Sequence, residues 1–235
     1  MGHPRTAARG LVMLGALALV AGCIPTLADD DPTGDPSTAK VGAGQLTEEQ
    51  IASVLPGEDE IPEGFSPETD EGAPSDPEAT AYPATCLDVR LAGTAGKELG
   101  THRTARRTAN FVGSEGGYLS VTVSSHDQPV PAQLFDDAGA AESQCGTFQL
   151  IDKEGTTSWK LSRVAFPQLG DRTYTTRVEA TTEGDIFRGG VIQIAGVSVG
   201  NNLVYVVYSA GPASRYEPTA VETFAKTTVD NLDAL

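Results

Sequence analysis

Apolar and polar residues alternate strictly through "GYLSVTVSS" (residues 117–125), where Leu119, Val121 and Val123 interleave with Ser120, Thr122 and Ser124. That period of two is the mark of an antiparallel strand buried on one face. The same pattern predicts further strands near 103–112, 146–152, 156–165, 172–181, 187–195 and 202–209. Two stretches change to the helical period. From Pro131 to about Gln144, Leu134, Phe135, Ala138 and Ala141 fall on one stripe, with Pro131 suited to a first turn. After Pro218, Val221, Phe224, Ala225, Thr228 and Leu232 do the same. A shorter helix is predicted in "LTEEQIASVL" (46–55): Thr47 and Gln50 have capping-box spacing, Leu46 and Ile51 hold the hydrophobic-staple positions, and Pro56 stops it.

Many strands and few helices predict an α+β domain, a mostly antiparallel β-sheet with two or three helices packed on it. "KEGT" and "TEGD" fit hairpin turns, and no internal repeat is present.

Before residue 46 the periodicity stops. Arg5 and Arg9 precede an apolar run from Leu11 to Ala21, too short to span a bilayer, which reads as a signal peptide over 1–22. The run closes on Val20, Ala21, Gly22 and then Cys23, a lipobox in which Cys23 is the lipidation site. These features predict an exported protein anchored in the cell membrane by acyl chains such as palmitate, facing outward. Residues 23–45 then read as a lipidated, acidic, disordered tether, 46–82 as a capped helix with an acidic linker, and 83–235 as the folded α+β domain.

Charge sharpens that division. The net charge is −16, and residues 24–82 carry fifteen Asp and Glu against one Lys; with the +2 of the signal, this leaves −4 for 83–235. The acidity belongs to the N-terminal segment, whose few apolar groups do not offset the entropy of ordering. Such a tether is repelled by anionic lipid and reaches roughly 25 Å over residues 24–45. The balance also excludes nucleic acid as a partner, since phosphate binding needs a concentrated basic surface.

There are three cysteines. With Cys23 assigned to lipid, Cys86 and Cys145 remain as an even pair, and an oxidising compartment joins them in a disulfide.

The most conspicuous chemical motif is "GVSVG" (196–200), the G-x-S-x-G of a serine-hydrolase elbow with Ser198 as nucleophile. An elbow needs a helix after the serine, and "NNLVYVVYSA" is a strand, with Gly200, Asn201 and Asn202 read as a hairpin turn. All three histidines also precede Ser198. The expected role is a strand serine, exposed or packed beside small neighbours, and no enzyme activity is predicted. No metal or cofactor set is predicted either: His102 and His126 have no ligand spacing, and Glu183 with Asp185 is turn chemistry. "HRTARR" holds the one concentration of positive charge, Arg103, Arg106 and Arg107. Its simplest role is a charged edge strand that deters aggregation. Its functional role is as a candidate anion-binding patch, although alternation puts Arg106 and Arg107 on opposite faces.

The order of these features resembles a known group. The lipobox, the polar tether, the "LTEEQI" helix, "IPEGF" (61–65), Cys86, "AESQCGTF" (141–148), "VGNNLVYVVYSA" and "TAVETFAKTTVDNL" together resemble the PknH-like extracellular sensor domains, over roughly 46–235. Such domains occur beneath receptor kinases and as free-standing actinobacterial lipoproteins. The resemblance implies a sheet with helices packed on it and a ligand-binding cleft, and it carries no binding residue onto this chain. Kinase-linked members typically have two disulfides, whereas this chain has cysteines for one. The predicted function is a membrane-anchored sensor-like module for an unknown small molecule. An assembly lipoprotein that binds another envelope protein is the alternative, and a Ser198 hydrolase the second.

Overall fold

The structure is a computed structural model. It describes residues 41–68, 80–152, 155–184 and 186–235. The signal segment, Cys23, the tether up to residue 40, linker residues 69–79 and Asp185 lie outside the described residues.

Among the described residues nine strands form one wholly antiparallel sheet. They are β1 (Phe65–Pro67), β2 (Thr80–Tyr82), β3 (Arg103–Gly113), β4 (Gly117–His126), β5 (Thr147–Asp152), β6 (Gly155–Ser162), β7 (Arg172–Ala180), β8 (Val191–Val199) and β9 (Asn202–Ala210). The order across the sheet is β1-β3-β4-β9-β8-β7-β6-β5-β2. The α-helices of the described residues are α1 (Glu48–Val54), α2 (Thr94–Thr101), α3 (Ala132–Gln144) and α4 (Ala220–Asp233).

The alternation decides which helix covers which face. Leu119, Val121 and Val123 of β4 share one cluster with Val197 of β8, Val204, Val206 and Tyr208 of β9, Ile51 and Val54 of α1, and Val221, Phe224 and Leu232 of α4. The Thr219 side chain makes no cap hydrogen bond, so α4 depends on this burial. Each fully buried Val, Leu or Phe contributes about 1.5–3 kcal/mol. In α1 the capping box is complete: Gln50 N donates to Thr47 Oγ1 at 3.3 Å and Thr47 N donates to Gln50 Oε1 at 2.9 Å. Leu46 and Ile51 are both buried, as the staple requires.

On the opposite face lie α2, α3 and a 3₁₀ helix, Ala84–Arg90. The stripe of α3 buries Leu134, Phe135, Ala138 and Ala141 as predicted. The disulfide joins Cys86 in the 3₁₀ helix to Cys145 at the end of α3, and both residues are fully buried.

Several elements differ from the sequence expectation. The strand expected at 187–195 runs from Val191 to Val199, because Gly189 takes a φ of +84° and Gly190 N bonds to Phe187 O, spending those residues on a turn. The strand expected at 156–165 ends at Ser162, and Asn202 already belongs to β9. The strands β1 and β2 have three residues each, too few to display alternation. Helix α2 buries only Leu99 among two glycines and several polar residues, so no stripe announced it.

The chain divisions shift as well. Residues 41–45, expected as tether, are packed against the β8–β9 turn: Asn201 N donates to Ala43 O at 2.9 Å, and Asn202 Nδ2 donates to Gly42 O and Gly44 O, both at 2.8 Å. Backbone groups that would otherwise face water are paired there, so residues 42–44, expected within the tether, pack onto the sheet. No boundary falls between 82 and 83 either, since β1 and β2 from the preceding segment form the two outer strands of the same sheet.

Candidate ligand-binding face

Cross-strand neighbours share a face, so the register assembles rows of side chains across the sheet. On the side of α2 and α3, one row reads Arg106, Ser124, Leu203, Ser198, Arg172 from β3 to β7. The next reads Thr108, Thr122, Tyr205, Gly196, Tyr174, and the third Asn110, Ser120, Val207, Ile194, Thr176. The β9–β7 end of these rows is apolar and roofed, with Leu203, Tyr205 and Tyr174 packed against Leu91, Leu99, Leu134 and Phe135. On β3 and β4 the residues of this face are polar, and Thr122 and Ser124 among them are buried.

What remains on β3 and β4 is a polar floor. The hydroxyls of Thr108 and Thr122 lie 2.9 Å apart. Asn110 Oδ1 is buried with no hydrogen-bond partner among the described residues. The floor meets its wall at Tyr205, whose hydroxyl donates to Arg90 O at 3.1 Å.

The candidate arginines separate. Arg107 points to the α1 side and pairs with Glu48 at 2.9 Å. Arg106 stands opposite Ser124 on the polar face, so these two do lie on opposite faces. Arg103 does not follow simple alternation from Arg107. The register shifts between Arg103 and Ala105, so Arg103 stands opposite His126 and shares the face of Arg106. A bulge residue, Thr104, causes this switch. Over residues 103–109 β3 has no described strand on its outer side, since β1 pairs only with residues 111–113. The run is therefore also a charged sheet edge, as its composition suggested.

Ser198 sits inside β8 and is 3% exposed, so it does not face solvent. The chain after it turns directly into β9, with no helix N-terminus to build an oxyanion hole. Gly200 N is taken by Asp171 Oδ2 at 2.7 Å. His126 lies on β4, two strands and about 10 Å away. Its Nδ1 donates to Asn201 O at 3.0 Å. Burial pushes the His126 ring toward the neutral form, opposed by that hydrogen bond and reinforced by Arg103. His102 is likewise engaged, with Nδ1 2.9 Å from Asp127 Oδ1.

Both glycines of the motif have structural roles. A β-carbon on Gly196 would meet Leu91 Cδ1 at 2.3 Å, so the roof closes over it. Gly200 turns the chain with a φ of +56°. Among the described residues no three His, Cys, Asp or Glu side chains converge on a metal position. Glu183 lies 4.0 Å from Arg188 in an exposed turn, and its expected companion Asp185 is outside the described residues.

A second concavity of about 330 Å³ lies on the other face near the β3–β4 turn, walled by Phe65 and Tyr208 and rimmed by Glu63, Glu115, Arg215 and Glu217. Two of its polar groups are already committed: Arg215 Nε is 3.3 Å from Glu217, and Tyr208 donates to Arg215 O at 3.0 Å. No motif in the sequence pointed to it.

No family model and no curated protein matches the chain. Among solved structures, an uncharacterized protein of Mycobacterium smegmatis, the Rv0999 ortholog, aligns at 15% identity and a TM-score of 0.45, covering 83% of this chain and 98% of that one. The extracellular domain of PknH from Mycobacterium tuberculosis aligns at 15% identity and a TM-score of 0.58, covering 82% of this chain and all of that one. The PknH-like resemblance expected from the sequence motifs is thus matched by the fold, which this chain shares with the PknH extracellular domain.

Proposed function

We propose that the protein is an extracytoplasmic, sensor-like binding module, anchored at the membrane through lipid on Cys23, and that it binds a small polar ligand on the β3–β4 face. One observation carries the choice of face. Asn110 Oδ1 is buried with no hydrogen-bond partner among the described residues, in line with the Thr108 and Thr122 hydroxyls on the polar part of this face. An unpaired buried acceptor costs about 1–3 kcal/mol, a cost that a ligand donor removes. The aromatic concavity is the weaker candidate, because its one cation among the described residues, Arg215, is paired with Glu217 and its Tyr208 hydroxyl already donates to a backbone carbonyl. Extracytoplasmic placement is supported by the lipobox and by the shared fold with a domain described as extracellular.

Binding without chemistry is favoured by the strand that follows Ser198 and by histidines tied to Asn201 and Asp127. The test is native mass spectrometry of the protein extracted from its own envelope, beside Asn110→Leu and Cys23→Ala variants. A recurrent small molecule lost from Asn110→Leu supports the binding face, and release of Cys23→Ala from the membrane fraction supports the anchor. Unchanged retention in Asn110→Leu overturns the face. Conversion of the molecule to a product overturns the non-catalytic reading.

A further inference from the structure

We infer that the polar face is built for an anionic ligand, a small carboxylate- or phosphate-bearing molecule whose charged group sits between Arg103 and Arg106. This rests on the binding role proposed above and adds the ligand's chemical class. Nine arginines fall among the described residues, and six have a carboxylate within 4.0 Å. The three without one in the described residues are Arg90, Arg103 and Arg106, and the last two lie on this face. Arg103 and Arg106 stand opposite His126 and Ser124, while the Arg90 carbonyl receives the Tyr205 hydroxyl at the wall.

Arg103 and Arg106 are both exposed on one face, where water screens their repulsion and an anion between them would gain from both guanidinium groups. Strict alternation would have avoided this arrangement by sending Arg103 to the face of Arg107. The Thr104 bulge reverses it, and Thr104 Oγ1 holds the bulge by donating to Ser125 O at 3.2 Å. Acids on the adjoining elements have partners of their own. Asp127 is engaged with His102 at 2.9 Å, and Glu98 lies 3.9 Å from the same ring. Planar guanidinium forks match the two-oxygen edge of a carboxylate or phosphate. From Arg106 to Asn110 the floor extends about 13 Å, four residues of strand, past the Thr108 and Thr122 hydroxyls. That is the length of a one- or two-ring hydroxylated acid.

The test is calorimetric titration of the mature protein in detergent with glucuronate, inorganic phosphate and, as the uncharged comparator, glucose. The expected result is binding of the two anions in preference to glucose. Arg103→Gln and Arg106→Gln should each weaken it at least tenfold, and Arg107→Gln should change it less than twofold. Deleting Thr104 should restore simple alternation and weaken binding as Arg103→Gln does; if that variant does not fold, the three Gln variants decide. Equal weakening by Arg107→Gln would reduce the effect to diffuse charge and overturn the site, as would failure of both anions to bind. Native mass spectrometry separates the two levels. A natural ligand lost from Asn110→Leu but kept by the Arg103→Gln/Arg106→Gln double variant refutes the anionic class and leaves the binding face standing. A ligand kept by both variants removes the face itself.

Discussion

Gly200 and Ala43 meet backbone to backbone: a β-carbon on Gly200 would fall 2.0 Å from the Ala43 carbonyl oxygen. The second glycine of the hydrolase-like motif thus serves the docking of the chain's N-terminal approach to the sheet. Gly200→Ala should cost about 1–3 kcal/mol from the left-handed backbone alone, and more from the displaced segment. The expected result is a lower urea midpoint with new protease cleavage within 41–46. Gly139→Ala is the control. That glycine is exposed on α3 with nothing within 4 Å of a built β-carbon, so the same change there should stabilise by about 0.5–1 kcal/mol.

Ser198→Ala should leave any turnover of ester or peptide substrates unchanged, because among the described residues no helix amide or histidine is placed to activate the hydroxyl. Its cost in stability should stay within about 1.5 kcal/mol, the usual worth of a single hydrogen bond. Loss of measured turnover by several orders of magnitude in a folded variant would restore Ser198 as a nucleophile.

Reduction of the disulfide should destabilise the domain by about 4 kcal/mol on the chain-entropy model for a loop of this length. Cys86 and Cys145 are 59 residues apart in sequence. The loss should fall first on the 3₁₀ helix and α3, which roof the β9–β7 end of the sheet beside the binding face. Hydrogen exchange with and without reductant reads this directly: earlier exchange in 84–90 and 132–145 than in β4 and β9 is expected, and uniform exchange would contradict it.

The depressed pKa of His126 has a definite sign. Burial is the main cause, so the folded state prefers the neutral ring and the unfolded chain takes up the proton first as pH falls. The contribution is complete above the ordinary histidine pKa of about 6.5 and is lost as pH drops through the lower, folded value. Urea midpoints at pH 7.5 and 5.0 should therefore differ more in the wild type than in His126→Gln. An equal difference in both would assign the acid sensitivity elsewhere.

Local periodicity carried a large share of this fold. Alternation in residues 117–125 and 202–209 placed β4 and β9, and helical stripes placed α3 and α4 with the buried residues they show. Spacing alone identified the Thr47 and Gln50 box, and cysteine parity the Cys86 and Cys145 bond. Each of these is a property of neighbouring residues or a count, so no distant partner is needed to read it.

Only the tertiary structure decided the rest. Whether Arg103 sides with Arg106 or Arg107 depends on a bulge, and a bulge is defined by the hydrogen bonds of the partner strand β4. β1 and β2 are three-residue segments that become strands only because β3 and β5 offer open edges, with Thr80 pairing across to Ile151. Ser198 reads as a hydrolase motif or a solvent-facing strand residue until the roof formed by Leu91 and Phe135 closes beside it. In each case the deciding energy comes from groups far away in sequence: a backbone hydrogen bond or a buried contact with a residue that the local pattern cannot specify.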